Sequence, residues 1–248
     1  MDERHVPPVG LRYWILFLVT SVFGSHMSDV IMTVIAGSLG RQILLLAVGL
    51  LAIFLAERYD RRTSDVFYWS AVIVVQMMAN RLADFSVLQL GINRIGLVAG
   101  LIILLVTTLI MSRSDETRLF SKLALERPGA AAKPMADVPH WLGLFVASIL
   151  GSAAADLAAI TFRLGSAGAA LVVSIVVIVL LYLQRSSRPV RLHAFWLTTT
   201  LVRADGISFG DLLVKGAYFH LGLMVSALVS GVTVVALLVC WRPPKSPV

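Results

Sequence analysis

Residues 14–29 read WILFLVTSVFGSHMSD, and the same outline returns three times: WSAVIVVQMMANRLAD at 69–84, WLGLFVASILGSAAAD at 141–156 and WLTTTLVRADGISFGD at 196–211. Each copy opens on a tryptophan and closes on an aspartate fifteen residues later. A small residue (Gly24, Ala79, Gly151 or Gly206) stands five before each aspartate. The pattern takes up four of the five tryptophans. Copies one and two are 55 residues apart, as are copies three and four, which reads as a duplication of an already duplicated unit.

The rest of the chain supplies the setting. Of its 248 residues 58% are hydrophobic and 14% charged, whereas soluble chains carry about 25% charged residues. Mean hydropathy is +0.87. A pI near 10.1 often signals nucleic-acid binding, but here the basic residues sit in short clusters between long apolar runs. The expected partner is therefore a lipid bilayer and no nucleic acid. The lone Cys240 excludes a disulfide framework and any cysteine-based metal or redox motif. With no Gly-rich phosphate loop, HExxH, CxxC or Gly-x-Ser-x-Gly pattern, neither enzymatic activity nor a cofactor is expected.

A membrane-crossing helix needs roughly 20 mostly apolar residues. Eight segments qualify, at about 13–35, 42–57, 67–88, 95–112, 140–162, 167–184, 194–216 and 220–241. They pair into four hairpins with short turns at Ser38–Arg41, Gly91–Arg94, Arg163–Ala167 and Gly216–Phe219. The expected fold is all-α and polytopic: an N-terminus (1–12), a first membrane half (13–112), a linker (113–139), a second membrane half (140–241) and a C-terminus (242–248). Fifteen of the twenty-one Lys and Arg lie in the termini and the longer connectors. By the positive-inside rule these are cytoplasmic, in a multi-pass protein of the inner membrane. Every hairpin then returns to the same side, so the four units are parallel repeats rather than inverted ones. The basic start and Val34-Ile35-Ala36 imitate a signal peptide. However, His26 and Asp29 interrupt that span, and it is one copy of the repeat, so it is expected to be retained.

At 1.5 Å per residue each Asp lies roughly 22 Å beyond its Trp. The tryptophans are thus expected at the cytoplasmic interface and the aspartates in the outer third of the bilayer. Stepping back from each Asp in fours follows one helical face. This gives Asp29, Ser25, Ser21; Asp84, Asn80, Gln76; Asp156, Ser152, Ser148; and Asp211, Ile207, Arg203. Eleven of the twelve are polar, whereas the even spans hold no charge over Ile43–Ala56, Leu97–Ile110, Ala169–Leu183 and Leu221–Cys240. The odd helices are therefore expected to face one another and the even ones to face lipid.

An ionisable side chain at this depth costs at least about 2.5–3.5 kcal/mol at the bilayer centre and marks a functional site by default. Four acids in equivalent places would form a ring at the mouth of a pathway. With His26, Asn80, Gln76, Ser25 and Ser152 they suit a cation with oxygen ligands, or a proton. Arg81, Arg203, Asp205 and Lys215 are the expected charge partners or gates, with Arg163 near the outer edge. Departures from the repeat discriminate most: His26 stands where the other copies have Arg81, Ala153 and Ser208, and Arg203 and Asp205 occur only in the fourth. The favoured reading is a transporter or channel for a small solute or cation. The alternative is a non-transporting scaffold or sensor subunit whose aspartates hold the bundle together, a reading weakened by the lack of a large soluble domain.

Tyr13-Trp14 through Gly24 to Asp29, and Phe195-Trp196 through Arg203, Gly206 and Gly210-Asp211-Leu212-Leu213, resemble the repeat of a family of uncharacterised bacterial membrane-anchored proteins built from four copies of a two-helix unit. The resemblance covers nearly all of the chain except its termini and central linker. It implies the fold and the membrane location and supplies no activity. Such repeats often carry a Glu directly after the mid-helix Gly. Ser25, Asn80, Ser152 and Ile207 stand there instead.

Overall fold

The computed structural model describes residues 6–35, 38–59, 65–126, 138–185, 192–215 and 220–241. The chain's first five residues, the end of the linker, the turn at Gly216–Phe219 and the C-terminal tail lie outside them. Every regular element among the described residues is a helix, without a strand: α1 (Leu11–Val34), α2 (Leu39–Tyr59), α3 (Asp65–Leu88), α4 (Arg94–Glu126), α5 (Val138–Asp156), α6 (Gly165–Arg185), α7 (Leu192–Lys215) and α8 (Leu223–Cys240). A π-helical turn, Leu157–Thr161, prolongs α5 just past Asp156.

Among the described residues, six helical stretches are long and apolar enough to cross a membrane. The apolar part of α4, Arg94–Ile110, is shorter. Three consecutive threonines, Arg203, Asp205, Asp211 and Lys215 make α7 too polar to qualify by composition. Helix α4 also runs past the expected end of its span, to Glu126. Residues 113–126 are mostly good helix formers, so the expected linker is helical over its first half.

Packing explains the two kinds of helix. Helices α1, α3, α5 and α7 form a closed ring in which each touches the next and α7 returns to α1. The even helices lie outside, and each packs mainly on the odd helix that follows its own: α2 on α3, α4 on α5, α6 on α7 and α8 on α1. Their outer faces are exposed and apolar, as at Leu44, Val48 and Leu51 on α2, Ile175, Ile178 and Val179 on α6, and Leu228, Val232 and Val235 on α8. Surfaces of this kind do not persist in water. The molecule is a helical membrane protein whose polar residues are turned inwards.

Small residues set the ring's spacing. A Cβ on Gly151 of α5 would lie 2.7 Å from the Arg203 stem and from the Thr200 carbonyl of α7. One on Gly206 of α7 would lie 2.5 Å from Ser21 Cβ of α1, and one on Gly24 of α1 would lie 3.2 Å from Gln76 Cβ of α3. So a glycine from one copy receives the residue eight before the Asp of the next. Such close approach is how helices associate where apolar burial gives no net drive.

Candidate functional site

The face traced in fours extends through the ring as a stack of layers. At one end lie Tyr13, Tyr68, His140 and Phe195, sixteen before each Asp. Tyr13 and Tyr68 share a hydroxyl–hydroxyl hydrogen bond of 2.9 Å, and the Tyr68 hydroxyl lies 3.3 Å from His140 Nε2. His140 packs on Phe195 at 6.4 Å between ring centroids, and Phe195 on Tyr13 at 6.0 Å, which closes the circle. Each repeat tryptophan packs at a tilt behind this collar on a neighbouring copy: Trp69 on Tyr13, Trp141 on Tyr68, Trp196 on His140 and Trp14 on Phe195. Trp14, Trp69 and Trp196 are buried, so these rings build the interior instead of displaying themselves to the interface. The next layer, Phe17, Val72, Leu144 and Thr199, is fully buried as well. This end of the axis is filled with side chains.

One layer further on every position is polar: Ser21, Gln76, Ser148 and Arg203, all fully buried. Gln76 Nε2 donates to Ser21 Oγ at 2.9 Å, and Ser21 Oγ donates to the Phe17 carbonyl. Arg203 reaches across the ring: its Nη1 donates to the Ser21 carbonyl (2.8 Å), and its Nη2 to the Gln76 carbonyl (2.9 Å) and Ser152 Oγ (3.5 Å). One guanidinium from α7 is thereby tied to α1, α3 and α5. Above it stand Ser25, Asn80, Ser152 and Ile207, again buried. Asn80 Nδ2 donates to Ser28 Oγ and Ser152 Oγ to the Ser148 carbonyl. Many hydroxyls of the ring bond to their own helix four residues back, as Thr198, Thr199, Thr200 and Ser208 do. This is how polar side chains are accommodated away from water.

The four aspartates cap the stack and are half-buried. Asp29 feels the charges of Asp84 and Asp211, Asp84 that of Asp156, and Asp156 that of Asp211, so they form one electrostatic group. They divide by diagonals of the ring. On α3 and α7, Asp84 pairs with Arg81 (3.3 Å) and Asp211 with Lys215 (2.9 Å). On α1 and α5, Asp29 and Asp156 have no cation within ion-pair distance among the described residues. No group of three or more His, Cys, Asp or Glu is close enough to hold a metal ion among the described residues.

Three residues named from the sequence stand away from the axis. His26 is buried in the seam of α1, α7 and α8, with Nδ1 3.2 Å from Ser230 Oγ and Nε2 3.2 Å from the Gly210 carbonyl. Both ring nitrogens therefore have packing partners. Arg81 turns outwards to Gln42 Oε1 of α2 (3.1 Å) as well as to Asp84. Asp205 accepts from Ser174 of α6 at 2.9 Å, on the opposite side of α7 from Arg203. Arg163 is exposed, with a positive φ of 57°, and makes no ion pair among the described residues.

The collar of Tyr13, Tyr68, His140 and Phe195 was not foreseen from the sequence. Its signal was present, since two further steps of four along the same face land on these residues. Comparison with known proteins adds no relative: no family model, no curated protein and no solved structure matches the chain.

Proposed function

We propose that this protein moves a small solute or a cation across a membrane through the polar interior of its ring of odd helices. The observation that carries the reading is the pair Asp29 and Asp156: two half-buried carboxylates on opposite helices above a polar axis, with no cation within ion-pair distance among the described residues, although both feel the charge of Lys215. Keeping such groups in a bilayer is costly, and packing alone needs no unpaired acid. In this reading the aspartate end is an open mouth and the aromatic collar is the closed end. The finer membrane topology belongs to the same proposal: eight crossings arranged as four parallel hairpin repeats in two tandem halves, with both termini on the cytoplasmic side of an inner membrane, as in the family the repeat resembles. The cyclic packing of each even helix on the next odd one supports it. So does the recurrence of Trp, small residue and Asp at one register.

Two measurements test the proposal. In the purified protein, a cation should raise Tm in the wild type, and the rise should vanish in the Asp29→Asn/Asp156→Asn variant. A variant that only melts lower, with no cation response in either protein, would favour the scaffold reading. That reading already has the ion-paired Asp84 and Asp211 on its side. For the topology, single cysteines placed at positions 91 and 163 on a Cys240→Ser background should react with an impermeant thiol reagent only from the outside of intact cells. Labelling of either position only after the inner face is opened would refute the parallel arrangement.

A further inference from the structure

Arg203 occupies the place held by Ser21, Gln76 and Ser148 in the other copies, and it is the one charged side chain in that layer. It is fully buried and bound to all three other helices of the ring. No carboxylate lies within ion-pair distance of it among the described residues; Asp205 is turned to Ser174 instead. Three buried polar atoms of this layer lack a hydrogen-bond partner: Arg203 Nε, Gln76 Oε1 and Ser148 Oγ. The first is a donor and the second an acceptor, while the hydroxyl can act as either. The orientation of the Gln76 amide follows from its Nε2, which donates to Ser21 Oγ. Leaving such atoms unpaired in a buried layer is costly.

That combination selects a ligand chemistry. A monovalent cation about 5 Å from the guanidinium, at an effective dielectric of about 20, has its occupancy suppressed on the order of a hundredfold. An anion would be drawn to Arg203 but would meet Gln76 Oε1 and, before that, the aspartates at the mouth. An uncharged solute that both donates and accepts hydrogen bonds escapes both penalties and matches the donors and acceptors this layer leaves unpaired. An arginine fixed in the wall is a known kind of barrier to cations in pores that pass neutral molecules.

We propose that Arg203 is the specificity-determining residue of the pathway, barring cations at the layer of Ser21, Gln76 and Ser148, and that the cargo passing this layer is a small uncharged hydrogen-bonding solute. The inference rests on the transport reading and narrows it: cations gather at the aspartates and are turned back below them.

The test uses the full chain in sealed vesicles, with urea and glycerol as uncharged probes and K+ as the cation. Wild-type vesicles should pass at least one uncharged probe several-fold faster than protein-free vesicles, and K+ no faster. Arg203→Ser, which installs the residue of copies one and three, should raise K+ flux at least tenfold. If that variant does not fold, Arg203→Gln removes the charge, retains an amide donor and makes the same comparison. K+ flux in the wild type that matches or exceeds the uncharged probes would overturn the inference and leave the transport reading standing. So would a neutral variant that folds yet passes no more K+ than the wild type. Wild-type vesicles that pass neither class above the protein-free rate would end both.

Discussion

Gly151→Ala and Gly206→Ala are each expected to cost about 3 kcal/mol of stability, whereas Gly24→Ala should be close to neutral. The three glycines occupy the same register, so the contrast is purely one of contact. At Gly151 a methyl group would sit 2.7 Å from a backbone carbonyl, Thr200 O, as well as from the Arg203 stem. The carbonyl cannot move without its helix. At Gly206 it would sit 2.5 Å from Ser21 Cβ and 3.1 Å from the Leu18 carbonyl. Overpacking of this kind costs roughly 1–3 kcal/mol and occasionally more, and it exceeds the gain of about 1 kcal/mol that alanine brings to a helix interior. At Gly24 the nearest atom is Gln76 Cβ at 3.2 Å, which a shift of a few tenths of an ångström between α1 and α3 relieves, and the equivalent position in the second copy is already Ala79. Thermal unfolding of the three purified variants checks this. Equal, small losses in all three would show that the ring opens freely at these crossings.

Tyr68→Ala should be at least as damaging, at about 3–5 kcal/mol, the usual range for truncating a large buried aromatic. Tyr68 packs against Trp69 and Trp141, and its hydroxyl links Tyr13 to His140. Tyr68→Phe keeps the ring and should cost only about 1–2 kcal/mol for the lost hydrogen bonds. The collar closes one end of the axis, so the alanine variant should also leak small solutes from vesicles where the phenylalanine variant stays tight. A variant that unfolds at lower temperature yet remains as tight as the wild type would place the seal elsewhere, in the layer of Phe17, Val72, Leu144 and Thr199.

What could be read from the chain and what could not separates along physical lines. Helix positions and the inward face of the odd helices follow from periodicity, because a polar residue every fourth position in an apolar helix has only one place to go. The glycine register was legible for the same reason. Partner choice was not. Composition says that α2 is bare of charge over Ile43–Ala56 and must lie outside, but nothing in that stretch says that it leans on α3 instead of α1. His26 shows the same limit. Its spacing from Asp29 puts it on the aspartate side of α1, but its partners, Ser230 and the Gly210 carbonyl, lie 204 and 184 residues away. For Arg203 the sequence revealed the anomaly, a lone charge in a repeated position. Only the geometry shows that its guanidinium crosses to the far side of the ring while Asp205 looks away from it.

The offset docking of the outer helices bears on how the protein is made. Helix α8 closes the circle on α1, where Ser230 meets His26 and a Cβ on Gly231 would lie 2.9 Å from the Phe23 ring. That seam cannot exist until the last helix has left the ribosome and entered the bilayer. Until α8 docks, His26 Nδ1 lacks its partner, although the Gly210 carbonyl of α7 can already meet Nε2. A nascent chain stalled before Leu223 therefore lacks the Ser230 hydroxyl that partners His26 Nδ1, and a polar nitrogen of α1 stays unpaired until α8 docks.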